Sequence, residues 1–252
     1  MISFTGGAGV GQAICRSAGI KRVAMELGGN GPVIVMDDAD VDRAAAACVS
    51  GAFGAAGQNC IGVQRIYVHD AVHDHFRAAL IAATRALRVG DPTDPATDIG
   101  PMIGTGEATR IAAWIEEAVA GGATLLAGGE RAGALVRPTL LADVPDDARV
   151  ACREAFGPVV SLFRFADLDE AIDAANRADY AIHAAIFTES IRNARHAARR
   201  LRAAGVIIND STDYRLDAMP FGGAGRGNMG REGVRFAARE MSQTKVICFH
   251  DA

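Results

Sequence analysis

Apolar runs and helically spaced apolar positions alternate along the whole chain. Short runs rich in Val, Ile and Leu predict strands, and stretches with apolar residues three or four apart predict helices. The predicted strands are residues 2–5, 22–27, 33–36, 65–69, 124–127, 135–138, 161–165, 182–187, 205–209 and 241–249. The predicted helices are residues 12–18, 41–53, 71–87, 105–120, 167–177 and 190–203. This alternation predicts an α/β fold built on a mostly parallel sheet.

Composition and charge exclude several classes of function. The chain has 252 residues, half of them hydrophobic and 22% charged, with a net charge of −4. It has no basic block of the kind that nucleic-acid binding needs. No apolar run reaches the roughly 18 residues of a membrane span, and the first residues do not resemble a signal peptide. We therefore expect neither a nucleic acid nor a membrane as partner.

The cysteines indicate reduced thiols rather than a disulfide framework. There are five of them, an odd number, and they are widely scattered. That pattern is typical of a cytoplasmic protein. No CxxC pair is present, and the spacing of His69, His73 and His75 does not match a zinc motif. We expect no metal site.

Cys60 is the best candidate for a catalytic side chain. It follows a run of small residues, 51–57, which leaves room for a substrate beside the sulfur. The thiolate is the nucleophile, so the site must lower a thiol pKa of about 8.5 or place a base nearby. Glu26 is the best candidate base. Simple packing of Cys60 and an exposed charge at Glu26 are the alternatives. We expect the two residues to face each other across one pocket.

Two other segments suggest nucleotide binding. Glu154 and Phe156 lie two residues apart, so both point to one side of an extended backbone. A carboxylate can accept from two ribose hydroxyls, and an aromatic ring can support a nicotinamide; a loop glutamate and a core phenylalanine are the alternative. The glycines between Gly6 and Gly11 follow a strand and precede a helix, where backbone N–H groups can meet a phosphate. A tight turn is the alternative there.

Together these segments resemble the aldehyde dehydrogenase superfamily over essentially the whole chain. Each segment alone is weak evidence for this family, but the set of segments in this order and with this spacing is specific for it. The similarity is greatest to the branch of lactaldehyde, glyceraldehyde 3-phosphate and phosphonoacetaldehyde dehydrogenases. The matching segments are residues 4–6, 26–30, 57–60, 99–101, 154–158, 209, 220–223 and 230–233.

The resemblance implies a reaction and a site. Cys60 would attack an aldehyde to give a thiohemiacetal, and hydride transfer to NAD or NADP would leave a thioester. Glu26 would activate the water that hydrolyses it to a carboxylic acid. The backbone N–H of Cys60 would supply half of an oxyanion hole. The implied cofactor-binding residues are Gly6, Gly11, Leu27, Glu154 and Phe156.

The resemblance also implies a domain organisation. Residues 1–27 would be a truncated Rossmann-like remnant of a dinucleotide-binding domain, and residues 28–240 the thiol-bearing catalytic domain. Residues 241–252 would form a strand that pairs with a neighbouring subunit in a homo-oligomer. Family members begin well before the strand at residues 2–5, so we expect a longer form or a separate N-terminal half, and little turnover without it. A catalytically inactive remnant that serves as a subunit-interaction piece is the alternative, and a cofactor-free esterase is a third.

The substrate is predicted only as a class. Residues 209–215 and the early Phe-Thr-Gly-Gly resemble the branch that acts on small oxygenated or anionic aldehydes. Arg215 could reach an anion, and Asn59 could help to position the substrate. No arginine directly precedes Cys60, which disfavours a phosphonate. The family's Lys and Ser are absent from residues 221–228, which puts the contacts of that loop in doubt.

Overall fold

The computed structural model of the chain describes residues 1–178, 180–225 and 228–250. The strands are Ile2–Thr5 (β1), Val23–Glu26 (β2), Gly31–Val35 (β3), Val63–His69 (β4), Thr124–Ala127 (β5), Arg131–Ala132 (β6), Leu135–Val136 (β7), Thr139–Ala142 (β8), Val159–Phe165 (β9), Tyr180–Ala181 (β10), His183–Phe187 (β11), Gly205–Ile208 (β12), Ala224–Gly225 (β13) and Asn228–Met229 (β14). The helices are Ala8–Ser17 (α1), Val41–Phe53 (α2), His73–Ala86 (α3), Thr105–Ala120 (α4), Arg149–Cys152 (α5), Leu168–Ala175 (α6), Ile191–Arg200 (α7) and Val234–Glu240 (α8).

A seven-stranded sheet forms the centre of the molecule. Its strand order is β12-β11-β3-β4-β9-β8-β5, and every neighbouring pair is parallel except β5 with β8. Helices α2, α3 and α4 pack on one face and α6 and α7 on the other, so apolar side chains are buried on both faces. The mostly parallel α/β fold predicted from the alternation is confirmed.

A smaller sheet contains the beginning of the chain. Its order is β1-β2-β14, with β1 parallel to β2 and β14 antiparallel to β2. Thr5 pairs with Glu26, so both strands end at the same edge. The outer edge of β1 has no partner strand among residues 1–178, 180–225 and 228–250. Because β14 comes from much later in the chain, residues 1–27 share a sheet with the segment predicted to be catalytic, and the predicted domain boundary stays a prediction.

The two sheets meet where the candidate residues lie. Only residues 27–30 separate the carboxyl end of β2 from the amino end of β3. The segments that precede β4 and β9 carry Cys60 and Glu154 to the same amino-terminal edge of the large sheet. The site therefore lies at the carboxyl edge of one sheet and the amino edge of the other.

The strand predicted at residues 241–249 does not form within the single chain. Residue 241 ends α8 in a turn, and residues 242–250 have no regular secondary structure; residues 251 and 252 lie outside the described part. The segment is apolar enough for a strand, but it pairs with no strand of the described residues, and a strand is stable only on a hydrogen-bonding neighbour. Its predicted contact with a neighbouring subunit stays a prediction.

Several other elements also differ from the sequence patterns. The apolar run of β8 and the helix α8 were not predicted. The strand predicted at residues 135–138 is only two residues long, because it forms a short hairpin with β6 before Pro138. Proline lacks the N–H group that a longer ladder would require.

Candidate active site around Cys60

Cys60 is held in a tight loop between α2 and β4. After α2 the backbone takes left-handed conformations at three consecutive residues, Ala55 (φ 52°), Ala56 (φ 56°) and Gly57 (φ 68°). Such conformations cost non-glycine residues about 1–2 kcal/mol each, and they concentrate at functional sites. The Cys60 side chain is half-buried and packs against Ile61, Ile182 and Phe221.

Glycines let neighbouring loops touch the Cys60 loop. A Cβ atom on Gly57 would lie 2.2 Å from the carbonyl oxygen of Gly157, and one on Gly29 would lie 2.8 Å from that of Cys60. Both distances are too short for any side chain. The glycine-rich character of these segments is therefore explained by close backbone contact between the loops.

Asn59 contributes to the shape of this loop. Its side-chain oxygen accepts a hydrogen bond from the backbone N–H of Ile61 at 3.2 Å. Such a bond between an asparagine and the residue two positions on stabilises a turn. The amide oxygen of Asn59 is thus engaged, and the predicted substrate contact of this residue stays a prediction.

Glu26 lies at the carboxyl end of β2 with 8% of its surface exposed. Its backbone carbonyl accepts from the N–H of Gly6 at 3.0 Å. The residue lines a cavity of about 400 Å³ together with Arg215, Arg231 and Glu232. Its charge reaches the Cys60 sulfur strongly enough to raise the thiol pKa. Cys60 is not among the residues that line this cavity, so the pocket expected between the two residues stays a prediction.

The electrostatics of Cys60 favour the neutral thiol. Burial raises the pKa of Cys60, and so do the nearby carboxylates of Glu154 and Glu26. Its own backbone N–H and the guanidinium of Arg215 act in the opposite direction but do not prevail. Of the two ways to activate a thiol, a lowered pKa and an adjacent base, this arrangement provides the second.

Glu154 lies directly on the glycine pair. Its Oε1 accepts a hydrogen bond from the backbone N–H of Gly29 at 3.1 Å, and its Oε2 lies 1.8 Å from where a Cβ atom of Gly28 would be. Burial raises the pKa of Glu154, while that N–H and the charge of Arg110 lower it. Two residues on, the ring of Phe156 is 40% exposed and its backbone is left-handed (φ 48°). An exposed ring in a strained conformation beside a half-buried carboxylate is suited to hold a ligand.

The glycine loop near the N-terminus lies beside Glu26. A Cβ atom on Gly6 would lie 2.6 Å from the ring of Phe4, and a Cβ atom on Gly11 would lie 2.4 Å from the side chain of Leu27. Gly7 caps α1 without a side-chain hydrogen bond. Leu27 is buried beneath α1 and packs the helix against the segment that carries Glu26.

Arg215 lies over an aromatic ring at the other side of the site. Its guanidinium carbon is 4.1 Å from the centre of the Phe221 ring, and its Nη2 is 3.8 Å from Oε2 of Glu232. The edge of His183 contacts the same ring, with centroids 5.8 Å apart, and Nδ1 of His183 bonds the carbonyl of Thr212 at 2.8 Å. Burial lowers the pKa of His183, which favours the neutral ring donating from Nδ1.

Sequence reasoning did not single out His183, and it also missed Asn30, Gln64 and Arg65. Arg65 is buried and donates to the side chain and carbonyl of Asn30 at 3.1 and 2.9 Å and to the last carbonyls of α6. Asn30 in turn donates to the carbonyl of Ala151 at 2.9 Å. The sequence did contain a signal for Gln64 and Arg65. They are two consecutive polar residues near the start of the buried strand β4, and buried polar groups require hydrogen-bond partners.

The described residues contain neither a cluster suited to a metal ion nor a helix suited to a membrane. No group of three or more His, Cys, Asp or Glu side chains in the described ranges is arranged to hold a metal ion. None of the helices in those ranges has the length and apolar character that crossing a membrane requires. All five cysteines are described and all are free. Arg226 and Gly227, in the segment with the missing Lys and Ser, lie outside the described residues.

Comparisons with known proteins give a consistent result. The model of the aldehyde dehydrogenase family matches residues 1–247. A putative aldehyde-dehydrogenase-like protein of Sinorhizobium fredii is 54% identical over 250 residues, which are 99% of this chain and 49% of that protein. Aspartate-semialdehyde dehydrogenase 1 of Pseudomonas canavaninivorans is 52% identical over 250 residues, 99% of this chain and 53% of that one.

A solved structure agrees over nearly the whole chain. The glyceraldehyde-3-phosphate dehydrogenase GapN of Methanocaldococcus jannaschii, complexed with NADP, superposes with a TM-score of 0.94 at 43% identity. The match covers 96% of this chain and 53% of that one. The branch predicted from the sequence is confirmed by this neighbour. The chain spans about half the length of the relatives it matches.

Proposed function

The chain belongs to the aldehyde dehydrogenase family, and from that premise we propose that it carries the thiol, the base and the nicotinamide-side residues for NAD(P)-dependent oxidation of a small anionic aldehyde to a carboxylic acid. The observation that carries the proposal is that Gly29 touches both loops: its N–H donates to Glu154 at 3.1 Å, and a Cβ atom on it would lie 2.8 Å from the carbonyl oxygen of Cys60. The charges of Glu154, Glu26 and Arg215 act on the Cys60 thiol in agreement with this contact. These residues come from four separate segments of the sequence.

Cys60 is the nucleophile in this proposal. Its neutral thiol gives a proton to a neighbouring carboxylate as the sulfur attacks the aldehyde carbon, and the carboxyl group passes that proton to the aldehyde oxygen, so that a thiohemiacetal forms. The loss of a hydride to the cofactor and of the hydroxyl proton to a carboxylate would convert this adduct to a thioester. Glu26 then removes a proton from water, the hydroxide attacks the thioester carbonyl, and the C–S bond breaks to release the acid, while the proton on Glu26 returns to the sulfur and restores the Cys60 thiol. The position of Glu26 in the lining of the cavity of about 400 Å³ supports this role, because a water molecule can reach its carboxylate there.

The residues present fit a dinucleotide. The carboxylate of Glu154 and the exposed ring of Phe156 lie two residues apart, and Gly6 and Gly7 precede the uncapped amino end of α1, which contains Gly11. We propose that Glu154 binds the ribose next to the nicotinamide and that Phe156 supports the nicotinamide. We propose that Gly6 and Gly11, at the start of α1, lie on the side of the cofactor's phosphates, with Leu27 packed against Gly11. When bound, NAD or NADP would accept the hydride from the substrate carbon.

The substrate class follows from Arg215. Its guanidinium is oriented by Phe221 and is 40% exposed at its side chain, so it is both fixed and accessible. The names of two similar proteins point the same way, since aspartate semialdehyde and glyceraldehyde 3-phosphate both carry an anionic group. We propose that Arg215 binds this group while the aldehyde carbon lies at Cys60, with Asn59 as a second contact.

Trapping the acyl intermediate tests the proposal. The purified chain is incubated with aspartate semialdehyde or glyceraldehyde 3-phosphate and with NAD or NADP, and the Cys60 peptide is analysed by mass spectrometry. We expect Glu26→Gln to accumulate the acyl adduct on Cys60, because thioester hydrolysis is slowed while acylation remains. Cys60→Ser serves as the control without a thioester. If no acylation of Cys60 occurs with either cofactor, in the chain alone or with the N-terminal half of a relative added, the proposal is wrong.

A further inference from the structure

Gln64 connects two loops that frame Cys60. Its Nε2 donates to the carbonyl of Gly29 at 2.8 Å, and its Oε1 accepts from the backbone N–H of Ala155 at 2.8 Å. The residue is 4% exposed and lies near the start of β4, a central strand of the large sheet. Both ends of the amide are therefore engaged by backbone, and the side chain fixes the distance between the two loops.

Glu154 makes a second link between the same loops. Its Oε1 accepts from the N–H of Gly29, whose carbonyl is the group that Gln64 holds. Because both links include Gly29, the position of the Glu154 carboxylate depends on the bond that Gln64 makes to Ala155 on the other side. Gly29 is thus held at its N–H by Glu154 and at its carbonyl by Gln64.

The strained backbone of Phe156 also requires this support. A left-handed conformation at a bulky residue is strained and persists only when the surroundings hold it. The N–H of Ala155, which Gln64 binds, directly precedes Phe156 in the chain. Without this bond, the loop could relax and carry Glu154 away from the glycine pair.

We propose that Gln64 is a positioning residue that holds the Glu154 carboxylate beside the Cys60 thiol. The inference rests on the proposed roles of Cys60 and Glu154 and adds the residue that orients them before any ligand binds. Gln64 itself touches neither the thiol nor a substrate in this arrangement. It acts through Gly29 and Ala155.

The Cys60 thiol provides a readout that does not need catalysis. The charged groups that act on it are Glu154, Glu26 and Arg215, and among them Glu154 has the largest effect on its pKa. Displacing Glu154 must therefore make the thiol ionise at lower pH. This can be followed through the rate of alkylation, because only the thiolate reacts.

The experiment measures the rate of iodoacetamide alkylation of Cys60 against pH, by mass spectrometry of its peptide, in the 252-residue chain. We expect Gln64→Met and Glu154→Gln each to lower the midpoint of the profile by about 0.5–1 pH unit. The double variant should shift no further than either single one. Gln64→Asn has an amide that is one methylene too short to reach both partners, so its profile should resemble that of Gln64→Met. It replaces Gln64→Met in the measurement if that variant folds poorly.

Thr139→Val is the matched control. Thr139 is also buried, and its hydroxyl donates to the carbonyl of Arg137 and accepts from the N–H of Gly129, which lie outside the two loops that Gln64 connects. This variant should lose stability without moving the midpoint. A folded Gln64 variant with an unchanged midpoint, or a double variant whose shifts add, overturns the proposal. Failure of aldehyde oxidation would overturn the proposed function but would leave this measurement unaffected.

Discussion

Gly57 and Gly157 touch through their backbones, and no side chain fits between them. A Cβ atom on Gly57 would lie 2.2 Å from the carbonyl oxygen of Gly157. The first glycine lies three residues before Cys60 and the second three residues after Glu154. This contact therefore sets the separation of the candidate nucleophile from the candidate cofactor ligand.

We expect Gly57→Ala to destabilise the chain by roughly 2–4 kcal/mol, because the methyl group meets backbone and φ is positive. The measurement is urea unfolding followed by circular dichroism. Gly54→Ala is the matched control, since a Cβ there meets nothing within 4 Å and its φ of −49° suits alanine. Equal stability losses in the two variants would contradict this explanation of the close contact.

The strands and motifs that form the site could be predicted from the sequence, but the buried hydrogen bonds that hold them in place could not. The sheet, and the candidate roles of Cys60, Glu26 and Glu154, could be inferred because strand periodicity and short motifs are local features. Arg65 was predicted only as part of an alternating strand and Gln64 was given no role, because their partners Gly29, Asn30 and Ala155 are distant in the sequence. Which groups satisfy a buried amide or guanidinium is decided by tertiary packing.

Other differences also have a tertiary origin. The left-handed turn at Ala55 and Ala56 has no sequence signature, since alanine ordinarily favours helix. The segment 241–249 has strand-like composition but no neighbour to pair with in the described chain. In the first case tertiary contacts override the local preference for helix. In the second the local preference for a strand finds no partner strand.

We expect Arg215→Met to lower the ratio of kcat/KM for an anionic aldehyde to that for propanal by about tenfold to a hundredfold, because a charge-assisted contact is lost. The ratio is the proper measure, since Arg215 also lowers the Cys60 pKa and its loss slows both substrates. Arg215→Lys, which keeps the charge, should retain more of the preference. An unchanged ratio in Arg215→Met would exclude Arg215 as the anion contact.

We expect the exposed apolar residues of segment 242–250 to support self-association. Val246 and Phe249 are 86% and 90% exposed, and an unpaired apolar segment is suited to add a strand to a partner. Val246→Asp should lower the molar mass measured by light scattering after size exclusion. Ile191→Asp, at another exposed apolar position, is the control. The prediction fails if Val246→Asp keeps the mass of the unmodified chain.

We expect Cys48 to make the chain less stable at high pH. The residue is fully buried in α2, and burial, with smaller contributions from Asp213 and Asp210, raises its pKa far above the ordinary range. The unfolded thiol ionises at about pH 8.5 while the folded thiol stays neutral, so the unfolded state binds fewer protons and stability falls as pH rises above that value. The loss from this one group approaches about 1.4 kcal/mol per pH unit. Urea unfolding at pH 7.5 and pH 10 measures it, and Cys48→Ala should show a smaller loss between the two; equal losses would mean that Cys48 does not control the alkaline limit.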